Sequence, residues 1–297
     1  MERLFPFPRE IKRLTGSGVV KIVRSIAEMR DVVADWRRMG ATVGLVPTMG
    51  GLHAGHLSLV RMAGECSDQV IATLFVNPAQ FSANEDFDAY PRNEDDDCRM
   101  FEEAGASLLF APPIEEVYPT DHVTKVHVGG LSSLLEGEFR PQFFTGVATV
   151  VSKLLIQAMA DVAVFGEKDY QQLQVIRRMA RDLDIPTEIL GAPTIREHDG
   201  LAMSSRNRYL SEDERPRAGT LFSAISDIAR ATAEGADPAP LCDAAARQLT
   251  EAGFREVDYV TVRDAKTLEQ YRCSGGPGRV LAAAWLGKAR LIDNVAV

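Results

Sequence analysis

Residues 41–56, which read ATVGLVPTMGGLHAGH, specify the central unit of the fold. The stretch begins with a short apolar run at 41–46, and such a run next to turn-forming residues is typical of a buried strand. A proline and three glycines interrupt the following residues, and a helical pattern begins near Leu57. The stretch therefore predicts a strand, a glycine-rich loop and a helix in direct succession.

The loop of this unit predicts a phosphate site. Glycines let the backbone approach a ligand closely, and the free N–H groups at a helix N-terminus attract anions. His53 and His56 are three residues apart and are expected on one face of the first helical turn. Their N–H groups suit a phosphate whose charge grows during reaction. We therefore interpret His53-Ala54-Gly55-His56 as the His-x-Gly-His element of nucleotidylyl-transferring enzymes.

Two other interpretations of these histidines stay open. Paired histidines at helical spacing also bind zinc, although the Glu of His-Glu-x-x-His is missing and the chain has 5 histidines in all. The two residues could also be incidental in a solvated loop.

The composition indicates a globular protein that acts on small molecules. The 297 residues are 45% hydrophobic and 25% charged, which suits one large domain or two smaller ones. A net charge of −9 disfavours nucleic acid and anionic membranes as partners. No apolar run reaches membrane-spanning length, and the N-terminus lacks the features of a secretory signal. Cys66, Cys98, Cys242 and Cys273 are far apart, which favours reduced thiols and a cytoplasmic location.

Short apolar runs alternate with helical patterns up to about residue 195. The alternation predicts an α/β fold with a Rossmann-like parallel sheet covered by helices on both faces. The predicted strands are 43–46, 70–76, 107–110, 162–165 and 187–190. The predicted helices include 25–39, 57–66, 94–104, 146–159 and 170–182.

The pattern changes after residue 195. A polar loop at 196–208 precedes Ala-rich helical segments, a strand at 257–262 and a hairpin around Gly287-Lys288. The helical segments are 214–234 and 240–251, and the hairpin strands are 280–286 and 289–297. We expect a poorly ordered N-terminal extension at 1–20, with an arm that packs on a partner as the alternative. A Rossmann-like domain at 21–195 and a smaller α+β domain at 196–297 that closes over the phosphate site should follow.

Two further polar loops follow predicted strands. Because parallel sheets bind ligands beyond the carboxyl ends of their strands, these loops should converge on the histidines. In Gly166-Glu167-Lys168-Asp169, Lys168 supplies a positive charge for phosphate, and Asp169 either orients a ribose or metal or merely caps the next helix. Of Gln171 and Gln172, one should face the cleft and the other solvent. The second loop, 77–81, offers the amides of Asn77 and Gln80, which bind a hydroxyl or carboxylate or serve the turn alone.

Three other polar groups each allow two interpretations. Met203-Ser204-Ser205-Arg206 forms an anion clamp that closes over a triphosphate, or it is a solvated hinge. Asp95-Asp96-Asp97 complements a helix dipole on a solvated face, or it takes part in Mg²⁺ binding. Arg140 binds a carboxylate, or it is an ordinary surface arginine.

A set of motifs occurs in order along the chain. They are Pro-Thr-Met-Gly-x-Leu-His-x-Gly-His, Phe-Val-Asn-Pro-x-Gln-Phe, Tyr-Pro-Arg, Arg-Pro-x-x-Phe-x-Gly-Val, Phe-Gly-Glu-Lys-Asp-Tyr-Gln-Gln, Asp-Gly-Leu-Ala-Met-Ser-Ser-Arg-Asn and Leu-Ile-Asp-Asn. From about Lys21 to the C-terminus, they closely resemble the pantoate–β-alanine ligase family. The resemblance implies an ATP-dependent condensation of pantoate with β-alanine through pantoyl adenylate, with release of AMP and pyrophosphate. An adenylyltransferase with another small carboxylate or phosphate acceptor is the alternative.

The resemblance also implies roles for individual residues. The catalytic residues would be His56 as proton donor, with His53, Lys168, Ser204, Ser205 and Arg206. The ATP site would comprise Pro47, Thr48, Met49, Gly50, His53, Gly55, His56, Gly166, Glu167, Lys168, Asp169, Ile195, Met203, Ser204, Ser205 and Arg206. Pantoate and β-alanine would contact Gln80, Gln172, Asn77 and Arg140. Mg²⁺ would accompany ATP, with Asp96 and Asp97 as candidate ligands, and the protein would be a homodimer.

Three positions depart from the family pattern. Phe143 stands where the family usually has His, which removes a polar contact expected near the second-substrate pocket. Ala54 replaces an acidic residue between the two histidines, a change expected to be harmless. Met100 replaces a polar residue of some members near Asp96 and Asp97, which weakens their predicted metal role.

Overall fold

The computed structural model describes residues 20–81, 93–272 and 276–297. Of the predicted N-terminal extension only Val20 is therefore described, and it is buried. The Tyr90-Pro91-Arg92 motif and Cys273 lie outside the described residues, whereas the other three cysteines are free thiols, as predicted. Within the described ranges no helix has both the length and the apolar character needed to cross a membrane.

A parallel sheet occupies the first part of the chain, as predicted, and it has six strands. Its strands are β1 (Lys21–Val23), β2 (Val43–Thr48), β3 (Gln69–Leu74), β4 (Leu108–Phe110), β5 (Val162–Gly166) and β6 (Glu188–Ala192). Their order in the sheet is β1-β4-β3-β2-β5-β6. The strands that follow β2 lie on one side of it until β5, which pairs with its other side. The carboxyl ends of β2 and β5 therefore flank a topological switch point, where such sheets bind ligands.

Helices cover both faces of this sheet because its central strands are apolar on both faces. The helices are α1 (Ile26–Arg38), α2 (Ala54–Cys66), α3 (Glu94–Ala104), α4 (Ile114–Val117), α5 (Glu136–Phe139), α6 (Phe143–Ala158) and α7 (Tyr170–Asp182). On one face α1, α6 and α7 enclose a core that contains Met29, Leu155 and Leu173. On the other face α2 and α3 contribute Val60 and Phe101.

The rest of the described chain forms the predicted smaller α+β part. Its elements are α8 (Arg215–Ala218), α9 (Thr220–Ala233), α10 (Pro238–Glu251), β7 (Glu256–Asp264), β8 (Gly278–Leu286) and β9 (Ala289–Ala296). The three strands form an antiparallel sheet in the order β7-β8-β9. Gly287, with φ of 55°, makes the tight turn between β8 and β9. Ile225 and Leu249 of the helices share a core with this sheet. The predicted fold class is thus confirmed, and the domain boundary at residue 195 stays a prediction.

Several element boundaries differ from the sequence prediction. Strand β1 was not predicted, because three residues at a sheet edge are too few to show a pattern. Helix α2 begins at Ala54 and not at Leu57, since His53 is its N-cap. Helix α6 begins at Phe143 and not at residue 146. The predicted helix 214–234 consists of α8 and α9, which are separated by Gly219.

Candidate active site

A cleft of about 950 Å³ opens at the switch point of the parallel sheet. Its first side, which we call the histidine wall, consists of residues 48–56 and 166–169 after β2 and β5. Its second side, which we call the serine wall, is the loop of residues 196–209. The predicted site residues that line the cleft are Pro47, Thr48, Met49, His53, Gly55, His56, Asn77, Gln80, Arg140, Gly166, Lys168, Asp169, Gln172, Ile195, Met203, Ser204, Ser205 and Arg206. The tertiary structure therefore brings together most of the set that the motifs implied.

The two histidines lie side by side at the start of α2, with ring centroids 4.1 Å apart. His53 caps the helix through its own ring, since its Nδ1 accepts a hydrogen bond from the backbone N–H of Gly55 at 3.2 Å. A ring nitrogen that accepts carries no proton, so the proton of neutral His53 resides on Nε2. The Nδ1 of His56 is buried and has no hydrogen-bond partner among the described residues.

Both imidazoles are uncharged at neutral pH. Burial and, secondarily, the positive charge of Lys168 lower the pKa of His53 to about 4. Burial, with smaller contributions from His53 and Lys168, lowers the pKa of His56 to about 3. Each ring can therefore donate one N–H to an anion without carrying a charge of its own.

Lys168 supplies the fixed positive charge of the histidine wall. It lies in a single 3₁₀ turn between β5 and α7, and its side chain is largely buried. Its Nζ is 3.7 Å from Oδ1 of Asp169. Asp169 occupies the N-cap position of α7 but makes no side-chain capping bond there, so the capping interpretation is wrong. Its carboxylate instead lines the cleft beside Lys168.

The amides of Asn77 and Gln80 form a linked pair at the cleft. Asn77 is almost fully buried, and its Nδ2 donates to Oε1 of Gln80 at 3.0 Å and to the Gly146 carbonyl at 3.1 Å. Its Oδ1 accepts from the hydroxyl of Tyr118 at 2.8 Å. Gln80 Nε2 lies 2.9 Å from the sulfur of Met49. Asn77 therefore orients Gln80, in addition to capping the turn at 78–80.

Gln171 and Gln172 have separate roles. Gln172 lines the cleft and is half-buried. Gln171 also belongs to the cleft lining, but it is buried and binds backbone: its Nε2 donates to the carbonyls of Leu131 and Leu134 at 2.8 and 2.6 Å. Its Oε1 accepts from the N–H of Glu136 at 3.1 Å. The expectation of a solvated glutamine is therefore wrong, because this side chain holds the segment that leads to α5.

The serine wall is a braced loop. Ser204 caps a 3₁₀ turn at Ser205–Tyr209 and accepts from the N–H of Arg206 at 3.3 Å. At the base of the loop, Arg196 forms two bonds with the buried carboxylate of Asp293 on β9, at 2.6 and 3.0 Å. Charged side chains thus connect this wall to the antiparallel sheet.

Arg140 and Phe143 form a stacked pair. The guanidinium carbon of Arg140 lies 3.8 Å from the ring centroid of Phe143, a cation–π geometry. One guanidinium nitrogen donates to the carbonyl of Gln80 at 3.3 Å. Phe143 therefore provides a surface that holds Arg140 at the cleft.

Four predicted residues lie outside the cleft lining. Glu167 turns away from it and pairs with Arg279 of β8 at 3.1 Å. Gly50, with φ of 89°, belongs to a tight turn. Asp96 is bound by Arg99 and Asn93, and Asp97 is buried beneath that turn. The nucleotide role predicted for Glu167 and Gly50 and the metal role of Asp96 and Asp97 therefore gain no support from these contacts.

No group of three or more His, Cys, Asp or Glu side chains that could hold a metal ion occurs in the described ranges, which omit 1–19, 82–92 and 273–275.

A buried ionic cluster at the cleft was missed by the sequence analysis. Arg290 of β9 donates to Glu136 of α5 and to Asp258 of β7, both at 2.6 Å. Tyr259 donates to the other oxygen of Glu136 at 2.7 Å. Asn294 of β9 donates to the carbonyls of Glu167 and Lys168, each at 2.9 Å. Charged residues at inward-facing positions of a strand could have indicated this cluster, and the Leu-Ile-Asp-Asn motif contains some of them.

Comparisons with known proteins agree with this geometry. The family model for Pantoate-beta-alanine ligase matches residues 21–296. The pantothenate synthetase of Caulobacter vibrioides is 58% identical over 93% of this chain and 98% of its own length, and that of Paramagnetospirillum magneticum is 55% identical over 95% and 99%.

Solved structures of pantothenate synthetases share the fold of this chain. The pantothenate synthetase from Thermus thermophilus has a TM-score of 0.88 at 42% identity and covers 93% of this chain and 99% of its own. The pantoate–β-alanine ligase from Francisella tularensis, complexed with β-γ ATP and β-alanine, has a TM-score of 0.79 at 29% identity over 93% and 97%. This chain therefore belongs to the pantoate–β-alanine ligase family.

Proposed function

We propose that this protein is an AMP-forming ligase that condenses pantoate with β-alanine through a pantoyl-adenylate intermediate. One observation carries the proposal: uncharged imidazoles and Lys168 on the histidine wall face the same cleft as Ser204, Ser205 and Arg206 of the serine wall. Membership of the ligase family supports this reaction, and a relative binds an ATP analogue and β-alanine in the same fold.

In the first step, a carboxylate oxygen of pantoate attacks the α-phosphorus of ATP. The new C–O–P linkage forms as the bond from the α-phosphorus to the bridging oxygen of pyrophosphate breaks, and pyrophosphate leaves with the electron pair. The reaction needs no protein nucleophile, because stabilisation of charge on the phosphates lowers the barrier. Lys168 and the N–H groups of His53 and His56 supply that stabilisation.

The low pKa values of the histidines suit this task. A neutral imidazole donates a hydrogen bond without forming an ion pair that would hold the ground-state triphosphate equally tightly. A triphosphate placed against His56 raises the pKa of its ring, since a nearby anion favours the protonated form. His56 is thereby prepared to supply a proton as pyrophosphate leaves.

In the second step, the free amine of β-alanine attacks the acyl carbon of the adenylate. The C–N bond forms, the C–O bond to AMP breaks, and the amine loses a proton. Gln80 and Gln172 would hold pantoate through both steps by uncharged hydrogen bonds, with Gln80 kept in place by Asn77. Arg140 beside Phe143 would attract a substrate carboxylate to this end of the cleft.

The proposed reaction also involves Mg²⁺, closure of the cleft and a second copy of the chain. Mg²⁺ arrives on the phosphates of ATP, because it prefers phosphate oxygens and water as ligands. The region of residues 196–297 closes over bound ATP and shields the adenylate from water. The protein acts in the cytoplasm as a homodimer.

The experiment that tests the proposal is isotope exchange between pyrophosphate and ATP. The two-step reaction predicts exchange that needs pantoate and ATP but not β-alanine, and formation of pantothenate and AMP only when β-alanine is added. Exchange that strictly requires β-alanine would overturn the adenylate step. Exchange supported by another carboxylate better than by pantoate would favour an adenylyltransferase with a different acceptor.

A further inference from the structure

The turn that delivers the two catalytic histidines rests on one buried carboxylate. Between β2 and α2, Gly50 and Gly51 both have left-handed backbone, with φ of 89° and 64°. This conformation directs two successive N–H groups inward. The N–H of Gly51 donates to Oδ2 of Asp97 at 3.1 Å, and that of Leu52 donates to Oδ1 at 3.0 Å. Asp97 lies on α3, and its two oxygens thus bind both N–H groups of the turn.

The approach of the turn to Asp97 is close. A Cβ added to Gly50 would lie 2.8 Å from Oδ2 of Asp97 and 2.7 Å from Leu74. Only glycine therefore allows the backbone to reach the carboxylate. His53 follows directly, and it caps α2 with its own ring. The direction in which both imidazoles enter the cleft is set within these few residues.

The neighbouring carboxylates of α3 are different. Asp95 is exposed, and Asp96 pairs with Arg99 and Asn93 on its own helix, whereas Asp97 is 3% exposed. A cation bound by Asp97 would compete for oxygens that already accept two backbone N–H groups. Because Leu52 is buried, its N–H would then be left without an acceptor. A buried N–H that is left without an acceptor is strongly disfavoured. The contacts of Asp97 therefore do not fit those of a Mg²⁺ ligand.

We propose that Asp97 is a positioning residue that holds the Gly50-Gly51-Leu52 turn and thereby aims His53 and His56 at the phosphates. The inference rests on the proposed function, since it assigns the turn to the ATP side of the cleft. It requires no metal. Asp97 acts through the backbone of the turn and does not touch the substrate.

The first test removes metal from the measurement. In Asp97→Asn one oxygen still accepts an N–H, while the new NH₂ group opposes the other N–H of the turn. Binding of a non-hydrolysable ATP analogue should then weaken by about tenfold to a hundredfold, as expected for misplaced binding groups. The weakening should be present in excess EDTA, and Asp95→Asn, an exposed carboxylate of the same helix, should bind as the unaltered chain does.

The second readout is the dependence of pantoate-driven ATP–pyrophosphate exchange on Mg²⁺. A positioning role predicts a lower kcat for Asp97→Asn, an unchanged KM for pantoate and an unchanged Mg²⁺ concentration for half-maximal rate. A substitution that raises the Mg²⁺ requirement and leaves binding in EDTA intact would show that Asp97 is a metal ligand and would overturn the proposal.

The third measurement needs no variant and applies even if Asp97→Asn fails to fold. In the unliganded native protein, the amide protons of Gly51 and Leu52 should exchange slowly, and addition of Mg²⁺ alone should not change their exchange. Fast exchange of both amides, or exchange that Mg²⁺ accelerates, would overturn the proposal. Pantoate-dependent exchange in the unaltered chain tests the proposed function separately, so the two failures are distinguishable.

Discussion

The two walls of the cleft are built in different ways. The histidine wall is positioned mainly by the parallel sheet, in which β2 pairs with β5, and by backbone N–H groups of its turn. Those of Gly51 and Leu52 bind the one buried carboxylate of Asp97. The serine wall and the sheet behind it are positioned by charged side chains. Arg196 pairs with Asp293, Arg215 pairs with Glu197 and Asp199 inside the loop, and Arg290 joins both parts of the chain.

This contrast indicates which wall is preformed. Backbone hydrogen bonds at the end of a buried sheet have few alternatives, so the histidine wall should keep one shape with or without ligand. Ion pairs that are partly exposed respond to salt and to bound anions. The serine wall, which we propose closes over ATP, is therefore the one held by charges. Substitutions in and around the two walls should have the following effects, from the largest to the smallest.

The largest effect is expected at Arg290. Arg290→Ala leaves Glu136 and Asp258 buried without their common cation, which should lower the free energy of unfolding by about 3–5 kcal/mol. Urea unfolding measures this value. Arg230→Ala, which removes an exposed pair with Asp227, is the matched control and should cost less than about 0.5 kcal/mol. Equal effects of the two substitutions would contradict the view that buried ion pairs hold the smaller α+β part in place.

The next largest effect is expected on the rate of adenylate formation and not on the stability of the fold. His56→Ala and Lys168→Ala should each raise the barrier of adenylate formation by about 3–4 kcal/mol, because each loses a group that stabilises phosphate charge. Pantoate-dependent ATP–pyrophosphate exchange measures the rate, and thermal unfolding shows whether the fold persists. His127→Ala and Lys125→Ala, both exposed and outside the cleft lining, should exchange normally. Normal turnover in either cleft variant would contradict the role given to that residue.

Asn294 connects the two walls and should show an intermediate effect. Asn294→Ala removes two hydrogen bonds to the carbonyls of Glu167 and Lys168 and one from Arg279, which should together cost about 3 kcal/mol of stability. It should also slow adenylate formation, but less than Lys168→Ala does. Thr250→Ala, which deletes an exposed side-chain bond on α10, is the control. A fully stable variant with normal turnover would show that the histidine wall needs no support from β9.

The stability of the protein should fall as pH decreases from 7 to 5, in part because of His56. Its pKa is about 3 in the folded protein and near the ordinary value of 6.5 when unfolded, so the unfolded chain binds more protons in this range. Stability rises with pH wherever that holds, and His56 contributes about 2 kcal/mol to the change between pH 5 and pH 7. His56→Gln should therefore lose less stability than the native chain between pH 7 and pH 5 in urea titrations. An identical pH dependence would contradict the lowered pKa.

The smallest effect is expected at Phe143. Phe143→His keeps an aromatic ring beneath Arg140 and should change the apparent affinity for β-alanine by less than about 1 kcal/mol, the range of an exposed cation–π contact. Steady-state KM values for β-alanine measure this change, and the ATP–pantoate half-reaction should be nearly unaltered. If the substitution instead restores a half-reaction that the native chain lacks, Phe143 is not a peripheral replacement.

The motifs predicted most of the residues that line the cleft because they act locally. A strand that ends in glycines before a helix presents its N–H groups and His53 at a sheet edge, so a phosphate site could be proposed from residues 41–56. The alternation of strands and helices likewise predicted the parallel sheet. Asp169 could not be assigned in this way, because a capping residue and a cleft residue have the same sequence pattern before a helix.

Asp97 and Arg290 show where sequence reasoning ended. An acidic run at a helix start fits a solvated face, and nothing local indicates that one of three carboxylates is buried under a turn 45 residues earlier in the chain. Arg290 follows a hairpin turn and resembles a surface residue. Its partners at Glu136 and Asp258 come from two other elements and meet it only in the folded chain.

Local sequence was enough to specify the strand–loop–helix unit, the α/β class with a smaller α+β part, and the residue types expected to face ATP. These depend on backbone preferences and on patterns that one chain segment contains in full. The folded chain alone showed which polar side chains are bound to backbone, as for Gln171, which is buried and donates to the carbonyls of Leu131 and Leu134. That outcome depends on burial, and burial is set by segments distant in sequence that pack against each residue.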